Sequence, residues 1–195
     1  MKITHCMCDL ETWGTKPGCA IRSIGACLFT LEGDIGALFY CNIDEQSCLD
    51  IGLTKDAGTV AWWGKQSREA QEALLVSPVP LGVAIENFLA WYRLNGAKRL
   101  WCQGANFDAP ILEYIIERLG TPIPWAYWDV RDTRTVYDVC GFNAKGYKRS
   151  GTYHNALDDC LHQIACIHAA MSLFRSSNEG LKSDIPTKTE VPDAC

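Results

Sequence analysis

A short apolar run over residues 3–7 leads directly into Asp9 and Glu11, and this stretch restricts the possible fold more than any other. The run includes a β-branched pair, which is typical of a first strand. Because side chains alternate along a strand, Asp9 and Glu11 leave the same face near its end. Two close carboxylates repel each other unless a proton or a cation lies between them, and a divalent cation with oxygen ligands suits such a pair. The alternative is a polar strand end with two solvated acids.

Two further runs with strand composition follow, over residues 20–30 and 35–43. Only a tight turn around Gly33 separates them, and a connection this short makes the two strands antiparallel neighbours. Three strands joined by short connections therefore predict an antiparallel meander that begins with the strand carrying Asp9.

The rest of the chain predicts an alternation of helices and strands after a polar stretch, residues 44–58, that is expected to be irregular. Helical patterns cover 59–75, 81–94, 109–119, 133–140 and 154–174, and strand-like runs cover 99–103 and 125–130. A meander followed by this alternation predicts an α/β fold with a mixed, five-stranded central sheet.

Composition limits the class of protein. The 195 residues suit one domain, predicted over 1–174, followed by a polar tail over 175–195. The net charge of −5 disfavours binding to long nucleic-acid duplexes through the electrostatic field of the whole protein. It is compatible with a local basic patch or a metal site that contacts phosphate. The eleven cysteines lack the paired spacing of a zinc site and favour a reducing, cytoplasmic setting. With no leader-like or membrane-spanning apolar run, we expect a soluble protein without membrane partners.

A second acidic position, Asp108, follows Asn106 and Phe107 just beyond the predicted strand at 99–103. Open α/β sheets place their ligands at this edge, so Asp108 is a candidate to join Asp9 and Glu11. Its alternative role is to cap the helix that follows. One carboxylate can serve both purposes if it also meets a metal ion.

A third group, His154 with Asp158 and Asp159, opens the last predicted helix after a basic loop. A helix start favours anions, so the position of His154 needs an explanation. At the rim of a pocket it would take a proton from water near neutral pH, whereas the alternative is a partly buried histidine bonded to its neighbours. Both aspartates share a helix side with small residues, and periodicity leans only slightly towards Asp159.

These groups together resemble the three motifs of the DEDDh 3′–5′ exonucleases of the ribonuclease H-like (DnaQ-like) superfamily. That superfamily includes the proofreading subunit of bacterial replicative polymerase and ribonuclease T. The segments 61–63, 101–104 and 132–135 are similar to the branch that contains mycobacterial-type exoribonucleases and phage exonucleases. The spacing of histidine and aspartate in the family selects Asp159 over Asp158.

The resemblance implies a ribonuclease H-like fold with helices on both faces of the sheet. It implies hydrolysis at the 3′ end of single-stranded RNA or DNA, with release of nucleoside 5′-monophosphates. Two divalent cations, Mg²⁺ or Mn²⁺, would assist, because Zn²⁺ prefers histidine and cysteine. His154 would be the general base, and a homodimer is a hypothesis from family analogy. The implied metal ligands are Asp9, Glu11, Asp108 and Asp159.

Most candidate substrate contacts are aromatic or basic. Trp13 follows the acidic pair and would stack on a base, with core packing as the alternative. Trp62 and Trp63 are neighbours about 100° apart on a helix, so we expect one in the core and one near the cleft. Lys145, Lys148 and Arg149 are candidates for backbone phosphates, with Arg131 and Arg134 as lesser ones and a solvated surface as the alternative. The predicted substrate-binding set is Thr12, Trp13, Trp62, Asn106, Lys148 and Arg149.

Two other functions compete with exonuclease activity. A catalytically silent nucleic-acid-binding module would keep the cleft and bind without metal-dependent cleavage. A phosphohydrolase for dinucleotides would strongly prefer two-residue substrates over longer strands. The choice between RNA and DNA depends on one or two hydrogen bonds to the 2′-hydroxyl, which the sequence does not locate.

Overall fold

The five strands within the part of the chain that the structure, a computed structural model, describes (residues 3–104 and 106–178) form one mixed sheet. They are β1 (His5–Thr12), β2 (Ile21–Phe29), β3 (Ile35–Asn42), β4 (Arg99–Cys102) and β5 (Val130–Asp132). Their order in the sheet is β3-β2-β1-β4-β5. The β1–β2 and β2–β3 pairs are antiparallel, while β1–β4 and β4–β5 are parallel. The predicted meander and mixed α/β sheet are confirmed.

Helices account for most of the remaining described chain. They are α1 (Glu45–Asp50), α2 (Ala57–Trp63), α3 (Arg68–Ala73), α4 (Leu81–Leu94), α5 (Asp108–Arg118), α6 (Thr133–Val139) and α7 (Ala156–Asn178). Each of them, over the residues described, is too short or too polar to cross a lipid bilayer. Helix α7 passes the predicted boundary at residue 174, and residues 179–195 lie outside the described ones. The division into a domain and a tail stays a prediction.

Three local expectations are wrong, and two of them fail because of helix capping. The stretch 44–58 is irregular only in part, since the Asp44 side chain accepts from two backbone N–H groups and starts α1. The expected helix 59–75 is two helices, because Ser67 accepts from Ala70 N and begins α3 anew. Short polar side chains at these positions satisfy the free N–H groups of a new helix. The expected strand 125–130 is a 3₁₀ turn, Tyr127–Asp129, before β5.

Strand β1 lies between β2 and β4 in the sheet, and helices packed on each side of the sheet bury both of its faces. Cys8 and Leu10 pack into a core with α4 and α5, while Met7 packs into a second core with Ile164 and Ile167 of α7. Alternation along the strand separates the two sets. The expected cover of helices on both sheet faces is confirmed.

Gly25 in β2 lets the start of α7 lie directly on the sheet. A Cβ at this position would stand 2.2 Å from the backbone carbonyl carbon of Ala156, which is far inside van der Waals contact. Gly25 is also the partner of Asp9 in the β1–β2 ladder. The first turns of α7 therefore lie over the acidic end of β1.

Candidate active site

Three carboxylates meet where β1 ends. Asp9, Glu11 and Asp159 each place one oxygen within 4.8 Å of the other two. Asp9 and Glu11 come from the same face of β1, and Asp159 comes from the first turn of α7, which Gly25 allows to approach. A set of oxygen donors of this size suits a hard divalent cation such as Mg²⁺ or Mn²⁺.

Asp108 reaches the same cavity from α5, which follows β4. Its Oδ1 accepts a hydrogen bond from the backbone N–H of Leu10 at 3.1 Å, and the residue is only 2% exposed. Phe107, not Asp108, takes the N-cap position of α5. The bond to Leu10 ties Asp108 to the central strand, so the four predicted acids line one cavity.

Burial and crowding alter the acidity of these groups. Burial raises the pKa of Asp9 well above its usual range, and the nearby Asp108, Asp159 and Glu11 raise it further. Burial also raises the pKa of Glu11 to about 8 and that of Asp108 to about 7. Positive charge in the cavity would lower these pKa values by favouring the ionised forms. The electrostatics of the site therefore favour bound cations.

Gln163 is a site residue that the sequence analysis missed. Its Nε2 donates to Oδ1 of Asp9 at 2.7 Å, and the residue is 3% exposed and lines the cavity. Gln163 follows Asp159 by one helical turn, so the two lie on the same side of α7. That spacing was the available signal, and its target on β1 became visible only in the folded chain.

Arg22 is a second missed residue, and no local signal pointed to it. Glu11 pairs with Ser23 and Thr12 with Ile21, so Arg22 is the extra residue of an irregularity in the β1–β2 ladder. Bulges of this kind redirect a side chain. The guanidinium carbon lies 4.1 Å from the ring centre of Trp13, and its charge partly opposes the rise in the pKa of Glu11.

His154 lies in the loop before α7 rather than within the helix as predicted. Its φ of 62° falls in the left-handed region, which residues other than glycine seldom adopt. Its ring meets Trp62 and Trp63 edge to face, with centroids 4.9 Å and 5.8 Å away. Burial lowers the pKa of His154, which keeps the imidazole neutral and able to accept a proton near neutral pH.

Asp158 and Asp159 have different surroundings. The Oδ2 of Asp158 accepts from the backbone N–H of Thr152 at 2.7 Å and so holds the loop that carries His154. Asp159 instead lies in the carboxylate cluster. Of the two, Asp159 is the one with the geometry of a metal ligand.

The predicted aromatic contacts divide into two kinds. Trp62 is 43% exposed and lines the cavity, whereas Trp63 is 2% exposed and donates from Nε1 to the Thr12 carbonyl oxygen at 2.9 Å. One core and one cleft tryptophan were expected. Trp13 does not border the cavity, because its ring packs against Arg22 and Lys55. Core packing, the alternative stated for Trp13, is what the geometry favours.

The polar and basic candidates differ in whether they line the cavity. Thr12 and Asn106 line the cavity, which has a volume of about 840 Å³. Arg134 lines it as well, although it was only a lesser candidate. Lys148 is exposed and is not among the residues that line the cavity. Arg149 reaches the site by pairing with Asp159 at 2.5 Å.

A mixed sheet with acids from β1, α5 and α7 around one cavity has the architecture of a 3′–5′ exonuclease. Residues 4–171 match the family described as the 3'-5' exoribonuclease Rv2179c-like domain, and the chain belongs to that family. Among curated proteins, none matches the sequence.

Solved structures support the fold. The nuclease domain of 3'hExo, a DEDDh family member bound to rAMP, has a TM-score of 0.55 at 14% identity, over 86% of this chain and 91% of that domain. S. pombe Pop2p, in a Mg²⁺- and Mn²⁺-bound form, has a TM-score of 0.54 at 14% identity, over 87% and 83%. E. coli exonuclease I, in complex with an oligonucleotide, has a TM-score of 0.57 at 16% identity, over 89% of this chain and 40% of its own.

Proposed function

We propose that this exonuclease removes nucleoside 5′-monophosphates from the 3′ end of single-stranded RNA, with two divalent cations and His154 as the general base. The observation that carries the proposal is the meeting of three carboxylate oxygens within 4.8 Å, beside Asp108 and His154 in one cavity. A binding module without turnover would have no need of this complete set, because buried carboxylates repel each other without a cation.

RNA is the proposed substrate because the family is described as exoribonucleases. The 3'hExo structure holds rAMP, which is the kind of product that this reaction would release. Exonuclease I is bound to a DNA oligonucleotide on a similar fold, so the fold alone does not select the sugar. Matched RNA and DNA oligonucleotides, degraded side by side, distinguish the two substrates.

The residues present fit Mg²⁺ or Mn²⁺. The four candidate ligands are all carboxylates, and burial raises the pKa of Asp9, Glu11 and Asp108, which a cation would reverse. The related Pop2p binds both of these metals. When bound, the cations would help to form hydroxide from water and would neutralise charge on the scissile phosphate. We assign the ligand positions to Asp9, Glu11, Asp108 and Asp159.

His154 has the properties that a general base needs. It lines the cavity with the acids, and its lowered pKa leaves the imidazole free to accept a proton from the attacking water. Thr152, bonded to Asp158, and the two tryptophans restrict the position of the loop and of the ring. This positioning lowers the entropy lost when the water, the phosphate and the base line up.

The remaining cavity would hold the 3′-terminal nucleotide. A volume of about 840 Å³ lies within the range of small-molecule sites. The exposed ring of Trp62 offers a surface for stacking on a base without sequence preference. Arg134 and Asn106 lie beside Gly104 and line the cavity, where they would contact phosphate and sugar oxygens. We propose these three as substrate contacts, together with Thr12.

The test is stepwise shortening of a single-stranded RNA labelled at its 5′ end. With Mn²⁺ or Mg²⁺ present, wild-type protein should shorten the RNA stepwise from the 3′ end, and a chelator should stop the reaction. D9N and H154A should each lose most of the activity. An RNA blocked at its 3′ end is the control for direction. Equal rates for wild type and D9N, or unchanged cleavage of the blocked RNA, would contradict the proposal.

The oligomeric state remains a separate hypothesis. Family analogy suggests a homodimer. Analytical ultracentrifugation of the full chain gives the mass in solution, and a monomer that degrades RNA would contradict a functional requirement for the dimer.

A further inference from the structure

Arg149 connects the carboxylate cluster with the loop that carries His154. Its Nη1 donates to Oδ1 of Asp159 at 2.5 Å, and its Nη2 donates to the backbone carbonyl oxygen of Thr152 at 2.8 Å. Its guanidinium carbon lies 4.4 Å from the ring centre of Tyr153. One side chain therefore contacts a candidate metal ligand and both residues that precede His154.

The ion pair lies in a sheltered position. The side chains of Arg149 and Asp159 are 11% and 19% exposed, so water screens their attraction less than it would at an open surface. The Nε of Arg149 is buried and makes no hydrogen bond within the described residues. A buried N–H group without a partner has an energetic cost, so the side chain is not fully satisfied where it stands.

We propose that Arg149 is a positioning residue whose charge takes the place of a cation beside Asp159. While it is bonded to Asp159 it also bonds to Thr152, and so it holds the His154 loop in place until metal binds. This inference rests on the proposed function, since it requires Asp159 to be a metal ligand. A divalent cation at the cluster repels the guanidinium and competes with it for Asp159. Metal binding then weakens the hold of Arg149 on Thr152, so the loop can adjust to a bound 3′ end while Asp158 and the two tryptophans still restrict its position.

Metal affinity measured by calorimetry gives the first test, with Mn²⁺ alone as the probe. Arg149→Gln removes the competing charge and should bind Mn²⁺ about tenfold more tightly than wild type, since a nearby unit charge contributes strongly in a sheltered site. Lys148→Gln removes the same charge one residue earlier, from an exposed side chain, and should change the affinity by no more than about twofold.

Hydrogen exchange of the backbone amides in residues 149–154 gives the second test. In wild type, addition of Mn²⁺ should increase exchange, because the loop loses its tie to Asp159. In Arg149→Gln, exchange should already be fast and should not respond to Mn²⁺. Arg149→Lys keeps the charge but cannot donate to both Asp159 and Thr152, so it should keep the wild-type Mn²⁺ affinity and show the fast exchange.

The outcomes separate this inference from the proposed function. If wild type binds no Mn²⁺ in a way that depends on Asp9, the proposed function fails and the role of Arg149 fails with it. If wild type binds Mn²⁺ but Arg149→Gln binds it no more tightly than Lys148→Gln, only the role of Arg149 is overturned. Unchanged loop exchange in wild type on addition of Mn²⁺ would also overturn it.

Discussion

The rings of Trp62 and His154 stand almost perpendicular, at 84°, with their centroids 4.9 Å apart. An edge-to-face arrangement at this distance is a favourable aromatic contact, and it joins helix α2 to the loop before α7. Since Trp62 is also the most exposed tryptophan of the cavity, the same side chain faces both the candidate base and the space for a nucleotide.

Trp62→Ala should therefore lower kcat/KM on single-stranded RNA by about 10- to 100-fold, the range expected from losing a stacking partner and a support for the imidazole. Trp62→Phe should retain most of the activity. Trp128→Ala, which removes an exposed tryptophan away from the cavity wall, is the matched control and should resemble wild type. Wild-type kcat/KM in Trp62→Ala would rule out both roles.

The raised pKa values of Glu11 (about 8) and Asp108 (about 7) make the stability of the metal-free protein depend on pH. In unfolded chains these groups titrate near pH 4, so between about pH 4 and 8 the folded state binds more protons. The stability gained from protonation is present at low pH and is lost as the pH rises. The melting temperature without metal should fall from pH 5 to pH 8.

Added Mn²⁺ should raise the melting temperature more at pH 8 than at pH 6, since the metal competes with protons for the carboxylates. Asp108→Asn should flatten the fall with pH, while Asp138→Asn, at an exposed position, should leave it unchanged. A melting temperature that rises between pH 5 and pH 8 in the metal-free protein would contradict this account.

Gln163→Leu should weaken the site by removing the donor to Asp9 while it keeps a similar volume. Groups that orient metal ligands typically contribute about 10- to 100-fold to affinity or activity, so we expect Mn²⁺ affinity to fall by about tenfold. Gln46→Leu makes the same change on an exposed face of α1 and should have no effect. Calorimetry on the two variants compares them directly, and equal affinities would mean that Asp9 needs no such support.

Gly25→Ala should prevent α7 from lying on β2, because the new Cβ would overlap the backbone of Ala156. We expect a loss of about 3 kcal/mol in the free energy of unfolding, at the upper end of what overpacking usually costs. Gly82→Ala, at a helical position with nothing within 4 Å of the added Cβ, should instead stabilise the protein by about 0.5–1 kcal/mol. Urea unfolding measures both changes, and equal midpoints would contradict the packing argument.

Local rules explain why much of the sheet could be predicted. The shared face of Asp9 and Glu11 follows from the two-residue period of a strand, and the meander follows from the short turn at Gly33. The boundaries of α4 and α5 follow from apolar periodicity between helix breakers. Capping explains two of the wrong expectations: Asp44 starts a helix within a polar stretch, and Ser67 starts a new helix within a longer apolar pattern.

The candidate site depends on both the sequence and the tertiary structure. Sequence by itself determined the residue types: the acids, the histidine and their order are readable, because each belongs to a short motif with its own strand or helix context. Only the tertiary structure decided that Gln163 holds Asp9, that the charge of Arg22 opposes the rise in the pKa of Glu11, and that Arg149 pairs with Asp159. The physical reason is that these contacts join segments that are distant in the sequence. Whether the segments meet depends on strand register and on the packing of α7 against Gly25, and neither of these produces a periodic pattern in the sequence.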